Sequence, residues 1–339
     1  MKRSALILII AILSMILCCL LVISRKLDTD LNSPTETTSG TESSQQTEVS
    51  SEPTNTETNL PTETTVPETS VPETTVPETT VPETTAPPPT ETVKPDNGGD
   101  YIGTLYTRAE LEAMENNRKG YGPGTASGGN RPPYAPNNQN AYGQYGGNFI
   151  APDNGKIYLT FDCGYEYNNL TASILDTLKE KNVKAVFFIT MPYAKNHADL
   201  VWRMINEGHT VGNHSNTHPD MTTLSIDQMV WEVTSLHDYV KEHFGYEMHL
   251  FRPPTGAFST RTLAVVQSLG YKTVHWSFAY NDWNTGAQPS LEDAYNTITS
   301  RHHSGAIYLL HAVSASNTAV LGDVIDFFRA EGYELERFS

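Results

Sequence analysis

The 339-residue chain carries 39 acidic and 22 basic side chains, and its formal charge of −17 excludes a nucleic-acid binder, which needs a basic face for phosphate. Its 3 cysteines exclude a disulfide-stapled fold, because Cys18 and Cys19 fall within an apolar run and leave Cys163 without a partner. The charge is uneven: residues 27–100 hold fifteen acidic residues and one basic one, whereas all 11 His and all 4 Trp lie after position 190, so metal-capable and stacking side chains are concentrated in the C-terminal region.

In chain order, the first element is the apolar run from Ala5 to Ile23. As a helix it would span about 28 Å, close to the ~30 Å hydrocarbon core of a bilayer. No small-x-small cleavage site follows it and Arg25-Lys26 close it, which predicts an uncleaved transmembrane signal anchor over residues 5–23. Basic residues flank both ends, so they do not set its orientation. Residues 24–100 are Thr, Glu, Pro and Ser with few apolar side chains, and include consecutive Val-Pro-Glu-Thr pentads from Val66 to Thr85. Regular proline and like-charged glutamate prevent a packed core, so this stretch is expected to be a disordered spacer. In residues 101–150, Thr107 with Glu110 predicts a short capped helix from Thr107 to Lys119, followed by a Gly/Asn/Tyr-rich loop with no assigned chemistry.

From Lys156 onward, β-branched apolar runs alternate with amphipathic segments, the pattern of βα units around a parallel sheet. Seven strands are expected, beginning near Ile157, Ala185, Thr210, Leu250, Thr273, Ala306 and Glu334. Helices are expected near 170–181, 197–207, 225–243, 260–269, 291–301 and 317–331. Ser225 with Gln228 and Ser290 with Asp293 are start signals, and Gly208, Gly270 and Gly332 are stops. Residues capable of chemistry recur where strands end: Asp162, the pair His214 and His218, Arg252, Asp282 and His311. In a parallel αβ barrel those ends form one rim, where such folds place catalysis. His214 and His218, four apart, can reach one metal ion, with Asp162 and Cys163 at a neighbouring strand end.

Five short motifs stand in order along this region: Thr160 to Gly164, His214 to His218, Arg252 to Gly256, Asp282-Trp283, and Leu309-Leu310-His311. Together they resemble the polysaccharide deacetylase family with NodB homology, carbohydrate esterase family four. Gly164-Tyr165-Glu166, Phe251 to Ser259 and Leu310 to Ser314 look closest to its δ-lactam-forming muramic acid de-N-acetylase branch. The resemblance implies an α/β fold with a distorted seven-stranded parallel (β/α) barrel over residues 151–339, behind the anchor and spacer. It also implies metal-dependent hydrolysis of N-acetyl groups on peptidoglycan amino sugars, at glycan strands outside the membrane, with no protein partner indicated. By residue, His214 and His218 would hold a divalent metal, Asp162 would act as general base steadied by Arg252, the Thr255 N–H would meet the oxyanion, His311 would protonate the amine with Asp282 orienting it, and Trp283 would face a sugar ring. The family has a second Asp as metal ligand where this chain has Cys163. A thiolate beside two imidazoles is expected to favour zinc. Two other readings remain open at this point: a wall-binding module that has lost turnover through Cys163, and a glycosidase pairing Asp162 with Glu166 or Asp282.

Overall fold

The computed structural model of the chain describes residues 101–339. The expected anchor and spacer lie outside them, and among the described residues no helix is long and apolar enough to cross a membrane. The strands are β1 (Tyr101–Ile102), β2 (Tyr106–Thr107), β3 (Gly147–Asn148), β4 (Lys156–Cys163), β5 (Val186–Ile189), β6 (Thr210–Asn213), β7 (Leu250–Phe251), β8 (Lys272–Val274), β9 (Ala306–His311) and β10 (Glu334–Leu335). The helices are α1 (Arg108–Ala113), α2 (Tyr134–Tyr142), α3 (Leu170–Glu180), α4 (Met191–Asn196), α5 (Ala198–Asn206), α6 (Ile226–Phe244), α7 (Thr260–Ser268), α8 (Leu291–Ser300) and α9 (Ala315–Ala330).

All seven expected strands form, and they lie in one curled parallel sheet, a half-barrel. Strand β4 is its centre, pairing with β5 on one edge and with β9 on the other, so that Asp162 and His311 are direct cross-strand neighbours. Strands β6, β7 and β8 follow from β5, and β10 pairs with the first residues of β4. The curl brings the chain just after β8 back to β9, where Ser277 donates to the Ile307 carbonyl and Leu309 to that of Phe278, both at 2.9 Å. Because both faces are covered, the strands read as continuous apolar runs. The two faces nevertheless pack separately: Tyr158, Val186, Phe188, Leu250, Val274 and Ile307 fill the inside, whereas Ile157, Leu159, Phe161 and Cys163 face the helical layer.

The helices begin where side chains satisfy their orphan N–H groups. Ser225 and Gln228 form a complete capping box, while Ser290 accepts from the Asp293 N–H without the reciprocal bond. Helix α4 was not expected, although Thr190, which accepts from the Tyr193 N–H, and Pro192 in the first turn are its start signals.

Residues 101–150 differ most from expectation. The helix capped by Thr107 ends at Ala113 instead of running to Lys119, because the following backbone is drawn into another partnership. Lys119 and Phe258 exchange both N–H to carbonyl bonds, at 2.8 and 3.0 Å. Arg261 donates to the carbonyls of Leu111, Glu112 and Met114, which caps the end of α1 from α7. Strand β3 extends the main sheet by pairing in parallel with β8. Phe149 joins Phe258 and Leu263 in a separate aromatic cluster with Tyr121, Tyr142 and Tyr145 against it.

Candidate active site

At the C-terminal ends of the strands lies a cleft of about 800 Å³, with Asp162, His214, His218, Thr255, Trp283 and His311 in its lining. These are six of the residues expected from the sequence, contributed by four strand ends and the loop after β8.

Asp162 is the last inward-facing residue of β4. Its Oδ1 accepts from Arg252 Nη1 at 2.7 Å, and Oδ2 stands 3.6 Å from His214 Nε2. Arg252 is fully buried inside the half-barrel, with its guanidinium carbon 4.2 Å from the Phe188 ring centroid. Two more of its N–H groups are used: Nε donates to the Val274 carbonyl at 3.1 Å and Nη2 to that of His275 at 3.2 Å. A buried guanidinium is tolerable only with this degree of satisfaction. Burial alone would raise the Asp162 pKa, but the charge of Arg252, aided by His214, His311 and the hydrogen bond, outweighs it and holds the carboxyl below its usual range.

His214 and His218 lie on the loop that leaves β6. Ser215 and His218 both adopt left-handed backbone, at φ 70° and 62°. Side chains fix that unfavourable path: Asn213 accepts from the Ser215 N–H, Ser215 Oγ from the His218 N–H, and the buried Glu232 from the N–H and hydroxyl of Thr217. The two imidazoles come within 4.8 Å, centroid to centroid. His214 Nδ1 lies 2.8 Å from the Arg252 carbonyl, so it carries the proton and Nε2 presents its lone pair to the cleft. Burial lowers the His214 pKa to about 4, which keeps the ring neutral.

His311 ends β9. Its Nδ1 donates to Asp282 Oδ1 at 2.6 Å, and its backbone N–H to Asp282 Oδ2 at 2.8 Å. Burial works against charge on this ring, but the hydrogen bond and charge of Asp282 prevail and raise its pKa above 6.5. Asp282 is wholly buried behind it and does not line the cleft.

Cys163 does not join this group. Successive strand side chains point to opposite faces, so with Asp162 turned inward Cys163 is turned outward, fully buried in the core under the helices. Desolvation, with the nearby charges of Asp162 and Glu166, pushes its thiol pKa well up, away from the thiolate that a metal requires. The expected Cys-His-His set therefore does not form, and among the described residues no group of three or more His, Cys, Asp or Glu is arranged to hold a metal. The carboxylate pairs of the glycosidase reading also fail to assemble. Glu166 is occupied at the start of α3, accepting from the Thr171 N–H and the Tyr193 hydroxyl, and Asp282 is spent on His311.

Tyr165 and Leu309, which stand in the sequence motifs without an assigned role, also line the cleft, as do Trp276 and Tyr280, which were not anticipated. Tyr165 and Trp283 are more than half exposed, so the cleft mouth is aromatic on two sides. Thr255, at φ 60°, is followed by Gly256 at φ 69°, and a Cβ on Gly256 would lie 2.3 Å from the Trp276 ring. Only glycine permits that ring to pack against the turn.

Residues 150–274 match the family described as Polysaccharide deacetylase. Over 178 residues the chain is 44% identical to the peptidoglycan-N-acetylmuramic acid deacetylase PdaA of Bacillus subtilis, covering 52% of this chain and 67% of that protein. This chain belongs to the polysaccharide deacetylase family. An uncharacterized 30.6 kDa protein of Geobacillus stearothermophilus is 46% identical over 192 residues, which are 56% of this chain and 72% of the relative. The solved structure of Bacillus subtilis PdaA, a family 4 carbohydrate esterase, superposes with a TM-score of 0.63 at 36% identity, covering 66% of this chain and 96% of that one. As a polysaccharide deacetylase, the chain is a hydrolase of non-peptide C–N bonds.

Proposed function

We propose that this deacetylase removes N-acetyl groups from peptidoglycan amino sugars, releasing acetate, and that muramic acid is the sugar it acts on. One observation carries the reading: an Arg-bound carboxylate and an Asp-bound imidazole stand side by side on adjacent strands in a single cleft, with His214 and His218 beside them. Likeness to PdaA supports the choice of muramic acid.

Hydrolysis of an unactivated amide needs a base for water and an acid for the amine. Asp162, kept ionised by Arg252, takes the proton from water, and His311, kept protonated by Asp282, gives one to the leaving nitrogen. The backbone N–H of Thr255 meets the developing oxyanion, and Trp283 and Tyr165 offer flat apolar faces to sugar rings. A carboxylate held as low as Asp162 is a weak base, which is the physical reason for including a Lewis acid in the reading. The donor chemistry fits one, since His214 presents a lone pair beside His218. These two residues would hold a divalent cation, which when bound supplies Lewis acidity to water and carbonyl. With sulfur absent from the donor set, imidazole alone still suits zinc.

Anchoring through Ala5 to Ile23 and an extracytoplasmic site at the end of the acidic spacer complete the proposal, supported by the apolar run and the wall-directed chemistry. Mass spectrometry of muramidase-digested peptidoglycan after treatment tests the substrate: loss of acetyl from muramic acid is expected, and loss from glucosamine alone would reassign the target. His311→Ala and Asp162→Asn are each expected to lower the rate about 10²-fold or more.

A further inference from the structure

Behind the candidate acid a chain of contacts runs on from Asp282 to two residues outside the five motifs, Asn317 and Tyr280. Asp282 Oδ2 accepts not only the His311 N–H but also Asn317 Nδ2, at 2.5 Å. Asn317 is buried in the first turn of α9, where its own N–H is held by Ser314 Oγ at 3.2 Å. The other end of its amide, Oδ1, accepts from the Tyr280 hydroxyl. The carboxylate, which can only accept, decides which way the amide faces. Reversed, the amide would set its oxygen against a carboxylate oxygen, so Nδ2 faces Asp282 and the Tyr280 hydroxyl donates to the oxygen at the other end. Tyr280 thus holds the far end of the amide, the amide holds the carboxylate, and the carboxylate holds the His311 ring.

We propose that Asn317 is a positioning residue for the general acid, clamping Asp282 so that His311 is aimed at the departing amine, with Tyr280 holding the far end of the clamp. This rests on the reading of His311 as the acid. Without Asn317, Oδ2 keeps only the His311 N–H, and the carboxylate is free to turn about that bond and carry the ring with it. Proton transfer is sensitive to displacements on the order of 1 Å, so the loss falls on turnover more than on binding. Asn317→Asp is the sharper change, because it keeps the shape and replaces the donor by a second carboxylate facing the first.

The test measures kcat and KM on peptidoglycan for the full-length protein and for Asn317→Ala, Asn317→Asp and Tyr280→Phe, with thermal unfolding of each as a control. The Asn317 variants are made again in a His311→Ala background. We expect kcat to fall about tenfold or more in Asn317→Ala and further in Asn317→Asp, with KM changed less than about twofold. Tyr280→Phe, which removes only a hydroxyl, should lower kcat a few-fold. In the His311→Ala background, Asn317→Ala should change the residual rate by less than about twofold, because the residue acts through the ring already removed. Should Asn317→Ala fail to fold, the isosteric Asn317→Asp and Tyr280→Phe carry the same comparison. Near-normal kcat in both Asn317 variants, or an equal fall with and without His311, would overturn the clamp while leaving the acid assignment intact. Near-normal turnover of His311→Ala itself would overturn the assignment beneath it.

Discussion

Asp162 and His311 stand on adjacent strands and need opposite charge states, and each has a buried partner that supplies the required one. The consequence for pH is directional. The raised His311 pKa keeps the acid protonated beyond its ordinary 6.5, so the alkaline fall of kcat/KM should lie above pH 6.5. In Asp282→Asn the charge that outweighs burial is gone, and that limb should move to lower pH; an unmoved limb would mean another group titrates. Arg252 is buried for the same purpose, and Arg252→Met leaves an unpaired carboxylate in the half-barrel. Urea unfolding should show a loss of about 3–5 kcal/mol, whereas a change near zero would mean that water reaches Asp162 and replaces the guanidinium. Most of these residues were legible because each follows a strand and carries unusual chemistry for its place. Cys163 was misread because adjacency in sequence is opposition in a strand, a rule that was available from the periodicity itself. Tyr280 and Asn317 were not legible: their meaning lies in the bonds of Asn317 to Asp282 and Tyr280, 35 and 37 positions away.

The strands and the six long helices could be read from apolar periodicity and caps because both faces of a parallel sheet must be covered. The segment before residue 150 could not, since its structure is imposed by what it lies against. Its backbone pairs with the loop leading to α7, and its Tyr121 hydroxyl donates to the Trp276 carbonyl at 2.6 Å, directly behind a lining residue of the cleft. Tyr121 also touches Phe149, Phe258 and His275. The segment thus supports the wall that holds Thr255 and Gly256. Tyr121→Phe should cost about 0.5–1.5 kcal/mol, the usual net value of one hydrogen bond, while Tyr134→Phe at an exposed position should cost almost nothing. Equal stabilities in denaturant would show that the hydroxyl contributes nothing to the packing.

At the scale of the whole chain, composition separates an apolar run, an acidic stretch and a region that carries all the histidines, and only the last has chemistry to perform. If Ala5 to Ile23 anchors the protein with its catalytic region outside, protease added to intact protoplasts should release the folded part by cutting between residues 24 and 100. Full protection would place the site on the cytoplasmic side and separate it from the wall. The deacetylase chemistry itself is tested most directly by incubating the purified protein with purified peptidoglycan and measuring released acetate, new free amines and new reducing ends together. Acetate and amine should rise in equal amounts, without reducing ends, and both should be lost in His311→Ala. Reducing ends without acetate, or retention of the protein on the wall with neither product, would contradict amide hydrolysis at this cleft.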